Sequence, residues 1–297
     1  MIYLNSFILP DRGMEEDFFF SFKRTCFTNC YPFLFFPARL QELKFDTITI
    51  LCGSNGSGKS TLLNIITERL QLQRATPYNK TYFFDPYTDL CRYDLRVYNN
   101  EELEALKKLS RIITSDDVFN HIINIREKNE QLDKKRQLVF DAKSLWNSHG
   151  SSGGPKGFNA EDPDSITAYI DYQDRLRLSA SQYVKRKIGE EERTFSNGEN
   201  GFKYFVEAIQ PEGLYLLDEP ENSLSPERQL ELVEFIYSMA RFYKCQFIIA
   251  THSPFILSIP GAKIYNMDEF PVTTCKWTEY ENVRIYRDFF KQHEEEF

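Results

Sequence analysis

The chain has 297 residues, a formal net charge of −8 and 41% hydrophobic residues, which is typical of a globular protein. This acidic balance disfavours a global attraction to nucleic acid or anionic membranes. Because no apolar run has the length of a membrane helix and residues 1–11 lack a signal-peptide pattern, we expect a cytoplasmic protein that is not membrane-embedded. The six scattered cysteines favour reduced thiols over a zinc site.

The first 52 residues are predicted to form short strands with turns, ending in the apolar run 47–51. A glycine-rich segment, 53–61, follows directly, and helical apolar spacing then continues to about Gln71. This order of strand, glycine loop and helix predicts a phosphate-binding loop, because the glycines let backbone N–H groups converge on phosphate oxygens. The positive end of the following helix strengthens the same site.

Each residue of this loop is a candidate nucleotide contact. The residues are Gly53, Ser54, Asn55, Gly56, Ser57, Gly58, Lys59, Ser60 and Thr61. We expect Lys59 to reach the β- and γ-phosphates of ATP and the Ser60 hydroxyl to ligate Mg²⁺. The alternative is a chance occurrence of the motif, and the flanking strand and helix argue against it.

The segment between residues 74 and 100 is predicted to be mostly loop, with a short strand at Thr81–Phe84. An amphipathic helix is predicted over Glu101–Leu109, and a strand over Arg111–Thr114. Buried strands separated by a helix return from Leu214 onward.

A helical subdomain is predicted at residues 115–195, between two parts of an α/β core at 1–114 and 196–297. Its first helix spans about 117–146, and a polar helix covers 166–188. The glycine-rich stretch 147–165 between them is predicted to be flexible. Two basic clusters in this subdomain predict either a solvated helix face or a partner contact; they are Lys134-Lys135-Arg136 and Lys185-Arg186-Lys187.

Two carboxylates follow the apolar strand Leu214–Leu217. Catalytic groups gather at the carboxyl ends of parallel strands, so Asp218 is expected to hold Mg²⁺ through water. Glu219 is expected to orient and deprotonate the attacking water. The alternative is a strand that runs into a polar turn, and the glycine loop upstream argues against it.

A histidine follows the next strand, where a contact to the γ-phosphate would be needed. We therefore expect His252 to sense phosphate, whereas a lone histidine after a strand is otherwise a solvated turn residue. Upstream, the segment Ser196–Glu199 taken by itself predicts only a turn that opens a helix, with Ser196 as the cap.

Taken together, these motifs resemble the head of an ABC-type ATPase, with Walker A and Walker B motifs. In chain order they are Gly53–Thr61, Ser196–Glu199, Asp218–Pro220, the loop Glu221–Pro226 and His252. Within this group the chain resembles the small stand-alone bacterial AAA/ABC-type ATPases. It is also similar to the heads of SMC and double-strand-break-repair ATPases, over residues 40–72 and 195–290. The resemblance implies a P-loop NTPase fold with a mixed central sheet, an N-terminal β region and an inserted helical subdomain.

The resemblance also implies a homodimer that forms around two ATP molecules. The Ser196 hydroxyl and the Gly198 N–H of one subunit would contact the γ-phosphate that Lys59 of the other subunit holds, which suits a helix N-terminus. Two departures from the family pattern matter. Asn197 replaces the second glycine of the usual signature, and Asn tolerates the left-handed backbone. Asp116, after the strand 111–114, takes the place of a glutamine that contacts Mg²⁺, although a helix cap explains it equally well.

The function that the resemblance implies is ATP hydrolysis by a dimer that acts on an unknown macromolecular partner, protein or nucleic acid, in DNA maintenance or phage defence. One alternative is the nucleotide-binding subunit of a transporter, against which the missing glutamine and the altered signature count. Another is a nucleotide-dependent binding switch that does not hydrolyse ATP. Glu219 argues against the switch, because a pure switch needs no general base.

Overall fold

The computed structural model describes residues 1–21, 29–97, 99–148, 163–188 and 197–296. The chain divides into two units, which we call the core unit and the helical unit. The core unit comprises Met1–Asn120 and Ser196–Phe297, and the helical unit comprises His121–Phe195.

A six-stranded mixed sheet forms the centre of the core unit. Side by side, its strands are β5 (Arg111–Thr114), β6 (Leu214–Asp218), β7 (Gln246–Thr251), β3 (Ile48–Cys52), β8 (Lys263–Asn266) and β9 (Thr273–Cys275). The first five are parallel, and β9 pairs antiparallel with β8. Every residue of β3 and β7 is buried. Such continuous apolar strands are typical of a parallel sheet with both faces covered.

A second, antiparallel sheet contains β1 (Leu4–Ile8), β2 (Glu42–Lys44) and β4 (Arg92–Leu95), with β1 in the middle. The buried side chain of Gln246 joins this sheet to the central one. Its Oε1 accepts hydrogen bonds from the backbone N–H groups of Tyr3 and Leu4, both at 2.8 Å, and its Nε2 donates to the Leu4 carbonyl at 2.9 Å. Because every polar atom of this amide has a partner, its burial does not leave an unsatisfied group.

The remaining elements are helices. In the core unit they are α1 (Arg12–Ser21), α2 (Lys59–Leu70), α3 (Phe84–Leu90), α4 (Asn100–Leu109), α8 (Asn197–Ala208), α9 (Pro226–Phe242), α10 (Pro254–Leu257) and α11 (Glu281–Gln292). Helix α5 (Ser115–Ser148) begins in the core unit and continues into the helical unit, which also contains α6 (Pro163–Arg177) and α7 (Ala180–Ile188).

Three local predictions were wrong. Helix α1 lies where short strands were expected, and Asp11 stabilises its start by accepting the Met14 N–H at 2.8 Å. No strand forms at Thr81–Phe84, because this segment is the turn that enters α3 and buries Phe83 and Phe84. The helix expected over 166–188 is two helices, and Ser179 caps the second by accepting the Gln182 N–H at 3.3 Å. The glycine-rich stretch 147–165 lies almost wholly outside the described residues.

Aromatic side chains fill the core beneath the N-terminal region. Phe33 stacks on Phe18 at 4.7 Å between ring centroids, and its edge contacts Phe19 and Tyr87, both at 5.0 Å. These rings come from helices α1 and α3 and from a turn, so the early phenylalanines are core residues without all being strand residues. Edge-to-face pairs of this kind contribute about 0.5–1.5 kcal/mol each beyond the apolar area that they bury.

One acidic side chain, Glu15, is fully buried beside this cluster. Its Oε2 accepts the Leu34 N–H at 2.7 Å, whereas Oε1 is buried and has no hydrogen-bond partner among the described residues. Burial raises the pKa of Glu15, and the bond from Leu34 only partly opposes this. The fold therefore favours the protonated carboxyl group.

Replacing Glu15 by glutamine should stabilise the protein more at neutral pH than at acid pH. A carboxyl group whose pKa is raised on folding contributes stability at low pH and loses that contribution as the pH rises through the folded-state pKa. The variant lacks this loss, so its gain in Tm over wild type should be about 2–4 °C larger at about pH 8 than at about pH 5. Calorimetric unfolding at both pH values measures this, with the exposed neighbour Glu16→Gln as control. An equal change in Tm at both pH values would contradict it.

Candidate nucleotide site

The carboxyl ends of five parallel strands meet at one edge of the central sheet. In the strand register, Thr114 pairs with Asp218, and Cys52 pairs with both Thr251 and Asn266. The glycine loop follows Cys52, Glu219 follows Asp218, and His252 follows Thr251. The structure therefore places the three main predicted motifs at the same edge, which is where α/β sheets bind ligands.

The glycine loop needs glycine at one position of its backbone. Gly58 has φ +97°, and a Cβ at this position would lie 2.4 Å from the ring of Phe35, so only glycine fits. The ammonium group of Lys59 is buried and donates to the carbonyl oxygens of Gly53 at 2.7 Å and Ser54 at 3.0 Å. The hydroxyl of Ser57 is also buried and has no hydrogen-bond partner among the described residues. The loop thus places the Lys59 ammonium group and the unpaired Ser57 hydroxyl where phosphate oxygens are expected to bind.

Ser60 and Asp218, which were each predicted to hold Mg²⁺, lie next to each other, with the Ser60 hydroxyl donating to Oδ1 of Asp218 at 2.9 Å. Burial raises the pKa of Asp218 to about 6, and the charge of Glu219 adds to this, while the Ser60 hydrogen bond and the Lys59 charge oppose it. Among the described residues, no group of three or more His, Cys, Asp or Glu side chains could hold a metal. The hydroxyl and carboxylate oxygens present suit Mg²⁺, which usually takes its other ligands from nucleotide phosphates and water.

Glu219 adopts a left-handed backbone conformation, with φ 48° and ψ 52°. Its N–H donates to the Ala250 carbonyl at 2.9 Å, and its Oε2 accepts from the Asn222 side chain at 2.9 Å. For a residue with a Cβ this conformation costs about 1–2 kcal/mol, so the surrounding contacts must hold it in place. The carboxylate remains partly exposed to solvent.

His252 faces two carboxylates. Its Nδ1 lies 3.5 Å from Oε1 of Glu221 and 3.9 Å from Oε1 of Glu219, and 40% of its side chain is exposed. The sequence identified Glu221 as the first residue of the loop 221–226 but predicted no contact between it and His252. The signal for it was weak, since an acidic residue in a loop is usually solvated.

Asp116 lies in the same cavity as Asp218. The cavity has a volume of about 380 Å³ and is lined by Asn64, Arg74, Pro77, Tyr78, Asn79, Thr114, Ser115, Asp116 and Asp218. The helix cap is formed instead by Thr114 and Asp117, because Thr114 Oγ1 accepts the Asp117 N–H at 3.3 Å and Asp117 Oδ2 accepts the Thr114 N–H at 2.8 Å. The capping explanation therefore applies to Asp117 and leaves Asp116 available to the cavity.

Arg74 is a second residue that the sequence did not reveal. Its guanidinium lies over the ring of Tyr78, at 4.3 Å from the ring centroid, and it donates to the side chain of Asn64. Desolvation lowers the pKa of Arg74, and the negative charge of Asp218 opposes this shift. Arg74 is therefore a cation close to Asp218, and both residues line the same cavity.

Asp268 anchors the start of the glycine loop, and it too was not predicted. Its carboxylate accepts the Ser54 N–H, at 2.8 Å to Oδ2 and 2.9 Å to Oδ1, and the Ser54 hydroxyl at 2.7 Å. Asp268 follows β8, at the same edge of the sheet, and 214 residues separate it from Ser54 in the chain. Only the folded register brings these two residues together.

The predicted signature segment is described only in part. Ser196 lies outside the described residues, whereas Gly198 lies in the first turn of α8. A Cβ at Gly198 would lie 3.7 Å from both the Ser225 nitrogen and the Arg228 side chain, so the glycine is next to the start of α9. Its predicted contact with a nucleotide of a second subunit remains a prediction.

Both basic clusters lie in the helical unit, and at least four of their six side chains form ion pairs there. Lys134 pairs with Glu130 at 2.6 Å, and Arg186 with Asp174 at 2.9 Å. Exposed pairs such as these contribute about 0–1 kcal/mol each and satisfy much of the local charge. The contacts favour the interpretation of the clusters as solvated helix faces.

Within the part of the chain that the structure describes, no helix combines the length and apolar character that crossing a membrane requires.

Comparison with known proteins gives two family matches. The model described as ABC transporter matches residues 41–222, which is more than half of the chain. A second model matches residues 202–258, and its description names an AAA domain, the AbiEii toxin and a type IV toxin–antitoxin system.

Individual relatives are distant. ABC transporter G family member 23 of Arabidopsis thaliana is 25% identical over 212 residues, which cover 70% of this chain. The chain spans only 28% of the length of that protein. An SMC head domain of Pyrococcus furiosus, solved with the C-terminal domain of ScpA, is 14% identical and covers 97% of this chain and 100% of its own, with a TM-score of 0.44.

The SMC head domain of Thermotoga maritima is also 14% identical, with a TM-score of 0.38, covering 93% of this chain and 99% of its own.

The family match spans the glycine loop, Asp218 and Glu219, which the structure brings to one edge of a mixed α/β sheet. The chain belongs to the ABC transporter family of ATP-binding domains.

Proposed function

We propose that this chain binds ATP with Mg²⁺ and hydrolyses it. The observation that supports this most directly is the meeting of the glycine loop, the Ser60–Asp218 pair, Glu219 and His252 at one edge of the sheet. A binding loop alone would serve any phosphate ligand. A carboxylate two strands away from that loop adds a general base for an attacking water.

Each residue then has a separate role. Lys59 and the loop N–H groups hold the β- and γ-phosphates, and Ser60 and Asp218, with Asp116 in the same cavity, provide oxygen atoms for Mg²⁺. The metal ion, when bound, neutralises phosphate charge. Glu219 orients and deprotonates the water, and His252 contacts the terminal phosphate.

The Mg²⁺ dependence of hydrolysis tests this assignment through Asp218. Asp218→Asn should weaken the apparent Mg²⁺ affinity, measured by phosphate release, by about 10–100-fold. Since burial raises the pKa of Asp218 to about 6, the wild-type affinity should fall as the pH drops below that value and the carboxylate is protonated. The variant should lose this pH dependence. The exposed Asp89→Asn is the control, and unchanged Mg²⁺ affinity in Asp218→Asn would contradict the assignment.

We further propose that the chain works in the cytoplasm as a homodimer that closes around ATP and acts on a macromolecular partner, protein or nucleic acid. The support is the position of Gly198 at the start of α8, where its N–H can face a second subunit. DNA maintenance and phage defence are the processes that we propose for it.

Dimerisation should depend on ATP. In Glu219→Gln, which is designed to retain uncleaved ATP, light scattering should report a monomer without ATP and a dimer with saturating Mg-ATP. Gly198→Trp should remain a monomer, because the indole would block the proposed contact, while a Cβ at this position makes only ordinary contacts, at 3.7 Å or more, within its own subunit. A monomer of Glu219→Gln under both conditions would contradict the closed dimer.

A second candidate is the nucleotide-binding subunit of a transporter. It is favoured by the description of the matching family model and by the plant transporter relative. Purification of the tagged chain from detergent-solubilised membranes distinguishes the two, because a transporter subunit should co-purify with a membrane-spanning protein. A third candidate is a binding switch without hydrolysis, and phosphate release by the wild-type protein under saturating Mg-ATP decides it.

A further inference from the structure

Glu221 is a buried glutamate two residues beyond the proposed base, and 7% of its surface is exposed. Its Oε1 accepts two hydrogen bonds, from the Thr251 hydroxyl at 2.7 Å and from the His252 backbone N–H at 2.9 Å. Both donors belong to the segment that carries His252. Because these two donors occupy Oε1, that oxygen is poorly placed to take a proton from water.

Two polar atoms in this region are buried and have no hydrogen-bond partner among the described residues. They are Oε2 of Glu221 and Nδ1 of His252. Their side chains face each other, with Nδ1 only 3.5 Å from Oε1 of Glu221. An unsatisfied buried group costs about 1–3 kcal/mol. A small rotation of the His252 ring that lets Nδ1–H donate a hydrogen bond to this carboxylate is therefore favourable.

The loop that carries Glu221 is itself tied to the histidine segment. The Glu219 N–H donates to the Ala250 carbonyl at 2.9 Å, and the Ser253 hydroxyl donates to Gln229 at 2.7 Å. Gln229 in turn donates to the Leu224 carbonyl at 3.0 Å. These hydrogen bonds fix the chain before and after Glu221 relative to the segment that carries His252, so they hold Glu221 close to the histidine.

We propose that Glu221 is the positioning residue for His252. Its Oε1 fixes the backbone of the histidine, and its carboxylate accepts a hydrogen bond from the Nδ1–H group, which leaves Nε2 as the nitrogen that faces the nucleotide. Only the contact between Nε2 and the nucleotide rests on the proposed function. The position and tautomer of the ring are properties of the protein without nucleotide.

Nitrogen NMR of the nucleotide-free protein tests the positioning directly. The chain has four histidines, so ¹⁵N-histidine labelling gives few signals, and His252→Asn identifies those of residue 252. At about pH 8 we expect the Nδ1-protonated tautomer in wild type, and a shift toward the Nε2-protonated form in Glu221→Ala. The exposed Glu227→Gln is the control and should leave the His252 signals unchanged. Signals of His252 that are identical in wild type and Glu221→Ala would overturn the proposal.

A double-mutant cycle tests the consequence for hydrolysis. Glu221→Ala should lower kcat by about 10–100-fold with little change in KM, because a small misplacement of His252 affects the reaction more than binding. In a His252→Ala background, the same substitution should change kcat by less than about 2-fold, since there is no ring left to position. Equal effects in both backgrounds would show that Glu221 acts independently of His252. If the proposed ATPase activity is wrong, the wild-type protein itself releases no phosphate from ATP, and the NMR result for His252 still stands.

Discussion

Replacing Glu219 by glutamine should leave ATP binding nearly intact and reduce ATP hydrolysis by about 10²–10⁴-fold. The amide keeps the size of the side chain and can keep the bond from Asn222, which Oε2 of Glu219 accepts at 2.9 Å. It cannot take a proton from water. The left-handed backbone is also unaffected, because both residues have the same branching at Cβ.

Phosphate release under saturating Mg-ATP measures the loss of activity, and calorimetric titration measures ATP affinity. Glu234→Gln, an exposed glutamate of α9, is the matched control and should behave as wild type. Near-native turnover in Glu219→Gln would show that the base lies elsewhere. Glu221 is the other carboxylate near His252, and its two accepted hydrogen bonds make it a poor substitute.

Replacing Lys59 by alanine should weaken ATP binding by about 10-fold or more, because hydrogen bonds between a cation and phosphate contribute about 1.5–3 kcal/mol. In the structure the ammonium group already bonds to the carbonyl oxygens of Gly53 and Ser54. The substitution therefore removes a phosphate contact and also a support of the loop.

Calorimetric titration with ATP and thermal unfolding without it separate these two effects. Lys44→Ala, which removes an exposed lysine of β2, is the control for the loss of one positive charge. We expect Lys59→Ala to lose more free energy of ATP binding than free energy of unfolding. Unchanged ATP affinity would contradict the assignment of the glycine loop.

The sequence was most informative where a local pattern determines the structure. The apolar run 47–51 and the glycines of the loop predicted β3 and the start of α2 without tertiary information. The rule that parallel strands end at one edge predicted that Asp218 lies near the glycine loop, and the structure places its Oδ1 beside the Ser60 hydroxyl, 158 residues away in the chain.

Contacts that depend on register were beyond sequence reasoning. Nothing local marks Asp268 as the anchor of Ser54, or Arg74 as a cation near Asp218. Helix α1 was missed because its aromatic run, Phe18 to Phe20, has strong strand propensity, and packing against Phe33 overrides that preference. The roles of Ser196 and Gly198 stay predictions.

The left-handed backbone of Glu219 has a consequence for how this protein can be altered. Glycine would relieve the conformational energy at this position, and asparagine would relieve part of it, so substitutions that improve thermal stability and substitutions that preserve chemistry pull in opposite directions here. A library selected for heat resistance alone would tend to discard the carboxylate. At residue 219 a substitution that raises stability therefore lowers activity. Any consensus or thermostabilising redesign has to keep glutamate at this position.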